Sequence, residues 1–438
     1  MKWAVEGLRE QINRSKKLKM RLASTRAVVA FALFPMMGAV SPLLAYPAIA
    51  GRFGEAGWSS IAVGQSVGSA VSVVIELGWV LTGPQAIASA PHSERLVIFA
   101  VALRSRLMIA SIALPLAVGV VCLLEPPDVL AAAMASVAMG LTGLSGTWFF
   151  IGLGKPGGIF VTDALPRLLA AILGVCAITV VGLGLEAFAA LMIVGYLASP
   201  LLTLLVVKPS WGVIRHARAS SGVLREQLVA LVGRGASATY IGLPSALIQA
   251  FAPSAVAVFA AVERLMRLGL LVLQAVPNSL QHSLGKARLE GRVPQVIPSI
   301  ITLQIASGVI SGALCWLAVP YAVHLLFTQR LSVSNEVAAL AGLVVLLTST
   351  SRGTGLVLVA MDRLSWIAAS GVIAALGGLA VIGPLAGEYG PTGGFLALVV
   401  AESMALCIQM VGLVWVWRVG RVPHSEAPHP MRSSTPIG

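Results

Sequence analysis

Long apolar runs separated by short polar breaks dominate this chain. Twelve can be marked: 27–50, 59–82, 107–124, 129–153, 168–185, 187–207, 228–251, 254–284, 296–320, 336–360, 364–386 and 392–416. About 20 apolar residues in a helix cross the hydrocarbon of a bilayer. The runs are continuous rather than alternating, which predicts helical spans and not the strands of a barrel. Prolines fall inside or at the edge of many of them: Pro35, Pro42, Pro47, Pro115, Pro200, Pro244, Pro277 and Pro320. Each removes a backbone donor and bends its helix, which a packed bundle tolerates.

The polar breaks carry a charge asymmetry. With the N-terminus placed inside, inner segments hold 24 of the 30 lysines and arginines, and outer loops hold Arg52 and Arg330. Arg234, Arg264, Arg267 and Arg352 fall within spans. This is the distribution of the positive-inside rule, and it predicts that both termini are cytoplasmic. The outer loops are short, as in Glu125-Pro126-Pro127-Asp128. The longest inner connection, 208–227, follows the sixth run and divides the chain into two six-helix halves. The expected organisation is a basic cytoplasmic segment 1–26, a first bundle 27–207, a linker 208–227, a second bundle 228–416 and a disordered tail 417–438. Residues 1–26 are basic and partly amphipathic, and the run after them is too long for a signal peptide. Gly146-Thr147 and Gly353-Thr354, with the runs that follow, form a weak repeat between the halves.

Composition agrees. Of 438 residues, 57% are hydrophobic and 11% charged, where a soluble domain is nearer a quarter charged. The net charge of +13 sits in loops, where it orients the chain, so it does not point to nucleic acid. The four cysteines lie in apolar runs without metal-ligand spacing. The six histidines form no HExxH, and no phosphate-binding loop is present. No acidic motif or sizeable outer loop offers a sugar-transfer site. These features predict a membrane protein that is not an enzyme, with no cofactor and no metal.

Candidate chemistry lies with the charges inside the spans. Ionisable groups in hydrocarbon are costly and are usually kept for function. Ala255–Arg267 sets Glu263, Arg264 and Arg267 in an apolar stretch. Glu263 precedes Arg267 by four residues, the favourable order for a helical ion pair. Arg264 projects about 100° away from Glu263 and is left to face elsewhere. With Arg234 and Arg352 the deep set is rich in arginine against Glu76, Glu263 and Glu402. Guanidinium binds phosphate oxygens bidentately and keeps its charge when buried. The set serves either an anionic head group or internal ion pairs that pin helices. Asp163 and Arg167 flank the start of the fifth run. Gln65, Gln249, Gln274, Gln304 and Gln409 are open to sugar hydroxyls or to interhelical hydrogen bonds.

Trp148–Lys155 and Val256–Leu268, with the stretch Tyr46–Gly57, resemble the lipid-linked O-antigen and exopolysaccharide flippases. These form one branch of the multidrug/oligosaccharidyl-lipid/polysaccharide exporter superfamily. The resemblance implies an all-α polytopic membrane protein with about twelve transmembrane helices in two six-helix bundles around a central cationic cavity. It implies a polyprenyl-diphosphate-linked oligosaccharide as substrate, flipped from the inner to the outer leaflet of a bacterial plasma membrane by alternating access. Its partners would be the bilayer and the glycosyltransferases or polymerase of polysaccharide synthesis. Arg264 carries over as a substrate-binding residue, with Arg52 at the outer end of the first run a weaker one. Arg234, Arg352 and Arg267 complete the cationic set, and Glu263, Glu76 or Glu402 would couple an ion if one is used. The peptidoglycan-precursor flippases share the run Glu263–Met266 but have arginines in the first span, where 27–50 has none. Drug exporters keep an acid there, and none is present. The alternatives are a cation-coupled drug or metabolite antiporter, and a non-transporting scaffold.

Overall fold

The computed structural model describes residues 37, 44–217, 227, 231, 242–274, 276–277, 280, 284, 292–327, 329–361 and 363–419. Helix is the only regular secondary structure among them. In chain order the first half contains α1 (Tyr46–Glu76), α2 (Trp79–Ser89), α3 (His92–Leu124), α4 (Val129–Leu141), α5 (Thr147–Gly152), α6 (Pro156–Val181) and α7 (Leu185–Val207). A short α8 (Trp211–His216) lies in the connection. The second half contains α9 (Pro244–Phe251), α10 (Val256–Leu273), α11 (Val293–Leu326), α12 (Asn335–Ala360) and α13 (Leu364–Val419). The segments 1–26 and 420–438 and residues 218–226 of the linker lie outside the described residues, as does the greater part of the first and seventh expected spans.

Two of these helices are each more than one membrane pass. α13 has 56 residues, which would be about 84 Å long if straight. It folds back at Gly390 (φ 57°, ψ −130°). α1 turns in the same way at Gly54 (φ 66°, ψ −158°). Both glycines hold the positive φ that a side chain resists. The expected outer loops at these points are thus single-residue reversals within helix. With those turns counted, the described helices trace the twelve passes in two bundles, the first and seventh mainly at their outer ends.

Small residues set the packing inside each half. Gly64 and Gly68 stand one turn apart on α1 against α4, where a Cβ would meet the Ala132 and Ser136 carbonyls. Gly308 and Gly312 repeat the device on α11 against α12, where a Cβ would meet Leu346, Ser349 and the Gly342 carbonyl. With lipid as apolar as the side chains, such close backbone approach is a main source of helix association. Asp128 caps α4 by accepting from the Ala131 amide at 2.9 Å, and Ser334 caps α12 through Val337.

Several helix starts differ from expectation. α3 begins at His92 rather than near 107, and takes in Arg95, Arg104 and Arg106. α6 begins at Pro156 rather than 168, so Asp163 and Arg167 lie inside a helix instead of flanking it. The reason is the same in both cases. Hydropathy ends a span at a charge, whereas Arg106, Asp163 and Arg167 have partners within the bundle.

The halves meet through α1 against α9 and α10. The fully buried Trp58 donates its indole N–H to the Ala257 carbonyl at 2.9 Å. Tyr46 and Phe327 pack on the same ring, with centroids 4.5 Å and 5.0 Å away. Gln249 donates to the Leu124 carbonyl at 3.3 Å. These contacts cluster near the turn at Gly54 and the ends of α3 and α11, the side expected to be outer.

Candidate functional site at the seam between the halves

The sequence places an acid and an arginine side by side on α10, and the helix sends them to different neighbours. Glu263 is 2% exposed and turned toward its own half. It accepts from Arg267 at 2.6 Å and from the Ser245 hydroxyl of α9 at 3.1 Å. The pair expected from the four-residue spacing is therefore formed, and it joins α10 to α9. Arg264, one residue on, is partly buried. Its Nε has no hydrogen-bond partner, and it forms no ion pair among the described residues. Tyr46 and Tyr196 of the first half are both buried.

Tyr196 leads to a second buried charge pair. The Arg167 guanidinium lies over its ring, 5.0 Å from the centroid. Arg167 also pairs with Asp163 at 2.7 Å, again acid first and four residues apart. The same Asp163 oxygen accepts from Ser145 at 2.8 Å and Ser199 at 2.9 Å. Asp163 sits on a wide π-helical turn, Phe160–Ala164, and such turns are frequent at functional sites. Ser145 belongs to the break between α4 and α5. The Ser145 and Gly143 carbonyls in that break are held by Arg106, which is 2% exposed. Glu76 is its electrostatic counterpart. A buried polar chain thus runs from α3 through the break to α6 and ends at Tyr196 of α7. Sequence reasoning assigned Arg106 to an inner loop and did not single out Tyr46 or Tyr196. The signal was available in part: Asp163-x-x-x-Arg167 repeats the spacing of Glu263-x-x-x-Arg267.

The other expected residues are spread. Arg352 on α12 donates to the Leu270 carbonyl of α10 at 2.9 Å, with Glu402 as its electrostatic counterpart. It lines a cleft of about 340 Å³ together with Gln274, Thr348, Ser351 and Gln409. Gln409 accepts from Thr354 and Ser351 and donates to Ser370, while the buried Thr348 hydroxyl has no partner among the described residues. Arg52 donates to the Ile178 and Gly182 carbonyls at the end of α6, in the half opposite to Arg264. Arg234 lies outside the described residues. No group of acids, histidines and cysteines that could hold a metal occurs among the described residues.

No family profile matches the chain, and no curated protein sequence does. Solved structures do. The chain is similar to a multidrug resistance MATE family transporter of the MOP superfamily in its inward-facing conformation. The match covers 91% of this chain and 99% of that one, at TM-score 0.65 and 15% identity. It is similar to the lipid II flippase MurJ in an inward closed conformation, over 88% of this chain and 87% of that one, at TM-score 0.66 and 12% identity. A MATE protein in a bent conformation gives TM-score 0.55, 15% identity and coverage of 91% and 96%. The chain has the fold of the MOP-superfamily transporters. The expected fold, two helical bundles around a central cavity in a multi-pass membrane protein, is met at that level. At these identities the likeness is one of fold, and the site rests on the geometry of this chain alone.

Proposed function

We propose that the protein flips a polyprenyl-diphosphate-linked oligosaccharide from the inner to the outer leaflet for cell-surface polysaccharide synthesis, by alternating access. The observation that carries this reading is Arg264: a partly buried cation in an apolar helix that packs against the other bundle, with no ion-pair partner among the described residues. An uncompensated charge there is costly unless an anion visits it. A diphosphate supplies that anion, and guanidinium offers it paired donors at fixed geometry. Arg352 and the amides of its cleft lie on the same half and would take polar parts of the head group. The outer contacts of Trp58 and Phe327 support a state closed outside, ready for substrate from the inner leaflet. The similarity to an inward-facing transporter and to a lipid-precursor flippase supports the same reading. In this reading the lipid tail stays in the bilayer, and rocking of the halves exposes the head group outside.

The test is flipping in reconstituted liposomes. A polyprenyl-diphosphate oligosaccharide with a labelled sugar is followed by its accessibility from the opposite side. Protein-dependent flipping, lost in Arg264→Ala at equal reconstitution, is the expected result. Normal flipping by that variant removes Arg264 from the mechanism. Absence of flipping by the wild type, together with gradient-dependent efflux of organic cations, would assign the protein to the antiporters instead.

A further inference from the structure

We infer that the cleft within the second bundle is a sugar subsite, built to take one hydroxyl-rich sugar unit of the substrate with Thr348 and Gly355 at its centre. This inference rests on the flippase reading and assigns the sugar to residues of one bundle alone.

The cleft lies at one end of the bundle, between the end of α10, the C-terminal half of α12 and both passes of α13. Its volume of about 340 Å³ falls in the range of small-molecule sites, about 300–1,000 Å³. Thr348, Ser351, Arg352 and Gly355 recur at three- and four-residue steps, so one face of α12 forms a wall. Arg352 donates to the Leu270 carbonyl at 2.9 Å and fastens α10 to that wall. Gln274 at the end of α10 and Gln409 on the second pass of α13 complete the polar lining. A Cβ at Gly355 would meet nothing within 4 Å, so no packing neighbour requires a glycine there. Glycine is the poorer helix former. What it supplies at this position is depth, since any side chain would take up space in the cleft.

The lining suits hydroxyls better than phosphate. Amide and hydroxyl side chains both donate and accept, as sugar hydroxyls do, whereas phosphate oxygens accept only. Gln409 is buried and held by Thr354, Ser351 and Ser370, which leaves one amide N–H beyond those bonds. Ser351 spends its proton on Gln409 and keeps its lone pairs. The Thr348 hydroxyl is buried with no partner among the described residues. A lipid chain in the cleft would leave these groups unpaired, which is costly. Leu356 and Ile367 add apolar surface for the C–H face of a sugar ring. Every wall comes from the second half, so a sugar held here travels with that bundle and does not bridge the seam.

The experiment is equilibrium binding to the full chain in detergent. The probes are bare polyprenyl diphosphate and a panel of polyprenyl diphosphates bearing a single hexose or N-acetylhexosamine. At least one sugar-bearing lipid is expected to bind the wild type about tenfold or more tighter than the bare one, as two or more added hydrogen bonds give. Thr348→Val keeps the shape and removes a hydroxyl that has no protein partner to lose. It is expected to lower the sugar preference about fivefold and to keep or raise the thermal midpoint. Gly355→Leu fills the cleft and is expected to bring the preference within about twofold of unity. Neither variant should change the affinity for bare polyprenyl diphosphate. Thermal unfolding identifies which variants are folded. Wild-type sugar preference in either folded variant overturns the subsite. If Gly355→Leu weakens the bare lipid equally, the cleft holds a lipid chain and the subsite falls. If the wild type binds the bare lipid and no sugar improves it, the subsite falls while the flippase reading stands. If the wild type binds no polyprenyl diphosphate at all, the flippase reading falls, and the subsite with it.

Discussion

The indole N–H of Trp58 reaches the Ala257 carbonyl at 2.9 Å, so a fully buried ring of one bundle is bonded to the backbone of the other. Tyr46 and Phe327 pack against the same ring and exclude water from the bond. A rocking motion that opens the outer side has to break this cluster. Trp58→Ala removes the bond and most of the packing, a loss of about 3–5 kcal/mol for a large buried aromatic. Trp58→Phe removes the bond alone, about 1 kcal/mol. The outer side should therefore open more often in the alanine variant than in the phenylalanine one. Ser59→Cys on a cysteine-free background reports it, because residue 59 is 5% exposed in the present state. Its reaction with a membrane-impermeant maleimide is expected to speed up in the order wild type, Trp58→Phe, Trp58→Ala. Equal rates would mean the cluster does not hold the outer side closed.

Glu263 and Arg267 make a different kind of prediction, because each is the other's charge partner. Removing one member of a buried pair leaves the other uncompensated, at a cost of about 3–5 kcal/mol, while removing both costs much less. Arg267 retains some exposure, with its side chain 27% accessible, so the lower end of that range applies. Glu263→Gln and Arg267→Gln are each expected to lower the thermal midpoint, and Glu263→Gln/Arg267→Gln to recover most of the loss. Additive midpoints would show that the two charges do not stabilise each other. Flipping by the double variant also separates the pair's structural part from ion coupling. A coupling acid at Glu263 would leave that variant folded but insensitive to an imposed gradient.

Much of this arrangement is legible along the chain. Apolar run length gives the passes, and the acid–arginine spacing on α10 gives the Glu263–Arg267 pair. What stays hidden follows from one property of hydropathy: it scores a charge without knowing its partner. Arg106 reads as a loop residue, although it is buried against the Gly143 and Ser145 carbonyls. Asp163 and Arg167 read as the edge of a span, although Ser145 and Ser199 from other helices allow them inside one. Those partners lie 18 and 36 residues from Asp163, beyond any local pattern. Tyr46 and Tyr196 carry no spacing signal and gain meaning only when the helices are placed together.

Gly64 offers a test of packing that is independent of charge. A Cβ there would meet the Ala132 carbonyl and the Ala135 side chain, and backbone cannot give way as a flexible side chain does. Overpacking of this kind costs about 1–3 kcal/mol. Gly119 on α3 has nothing within 4 Å of the same position. Gly64→Ala should lower the thermal midpoint and the yield of folded protein, and Gly119→Ala should leave both unchanged or slightly raised, as glycine is the poorer helix former. A silent Gly64→Ala would mean that α1 and α4 do not approach as closely as the small-residue stripe requires.

Arg106 and Arg264 are both arginines within the membrane, and they should fail in opposite ways. Arg106 is 2% exposed, holds two carbonyls at the break between α4 and α5, and has Glu76 as its electrostatic counterpart. Arg106→Met strands those acceptors and the acid, with a stability loss of about 3–5 kcal/mol. Adding Glu76→Gln should restore part of it. Arg264 has no ion-pair partner among the described residues to strand, so Arg264→Ala relieves a buried charge and should keep or raise the midpoint. Its expected loss is in transport alone. Measuring the midpoint and the flipping rate on the same preparations separates the two roles. Arg264→Ala that unfolds would make this arginine a structural pin, and Arg106→Met that folds normally would free the α3 arginine for the cavity.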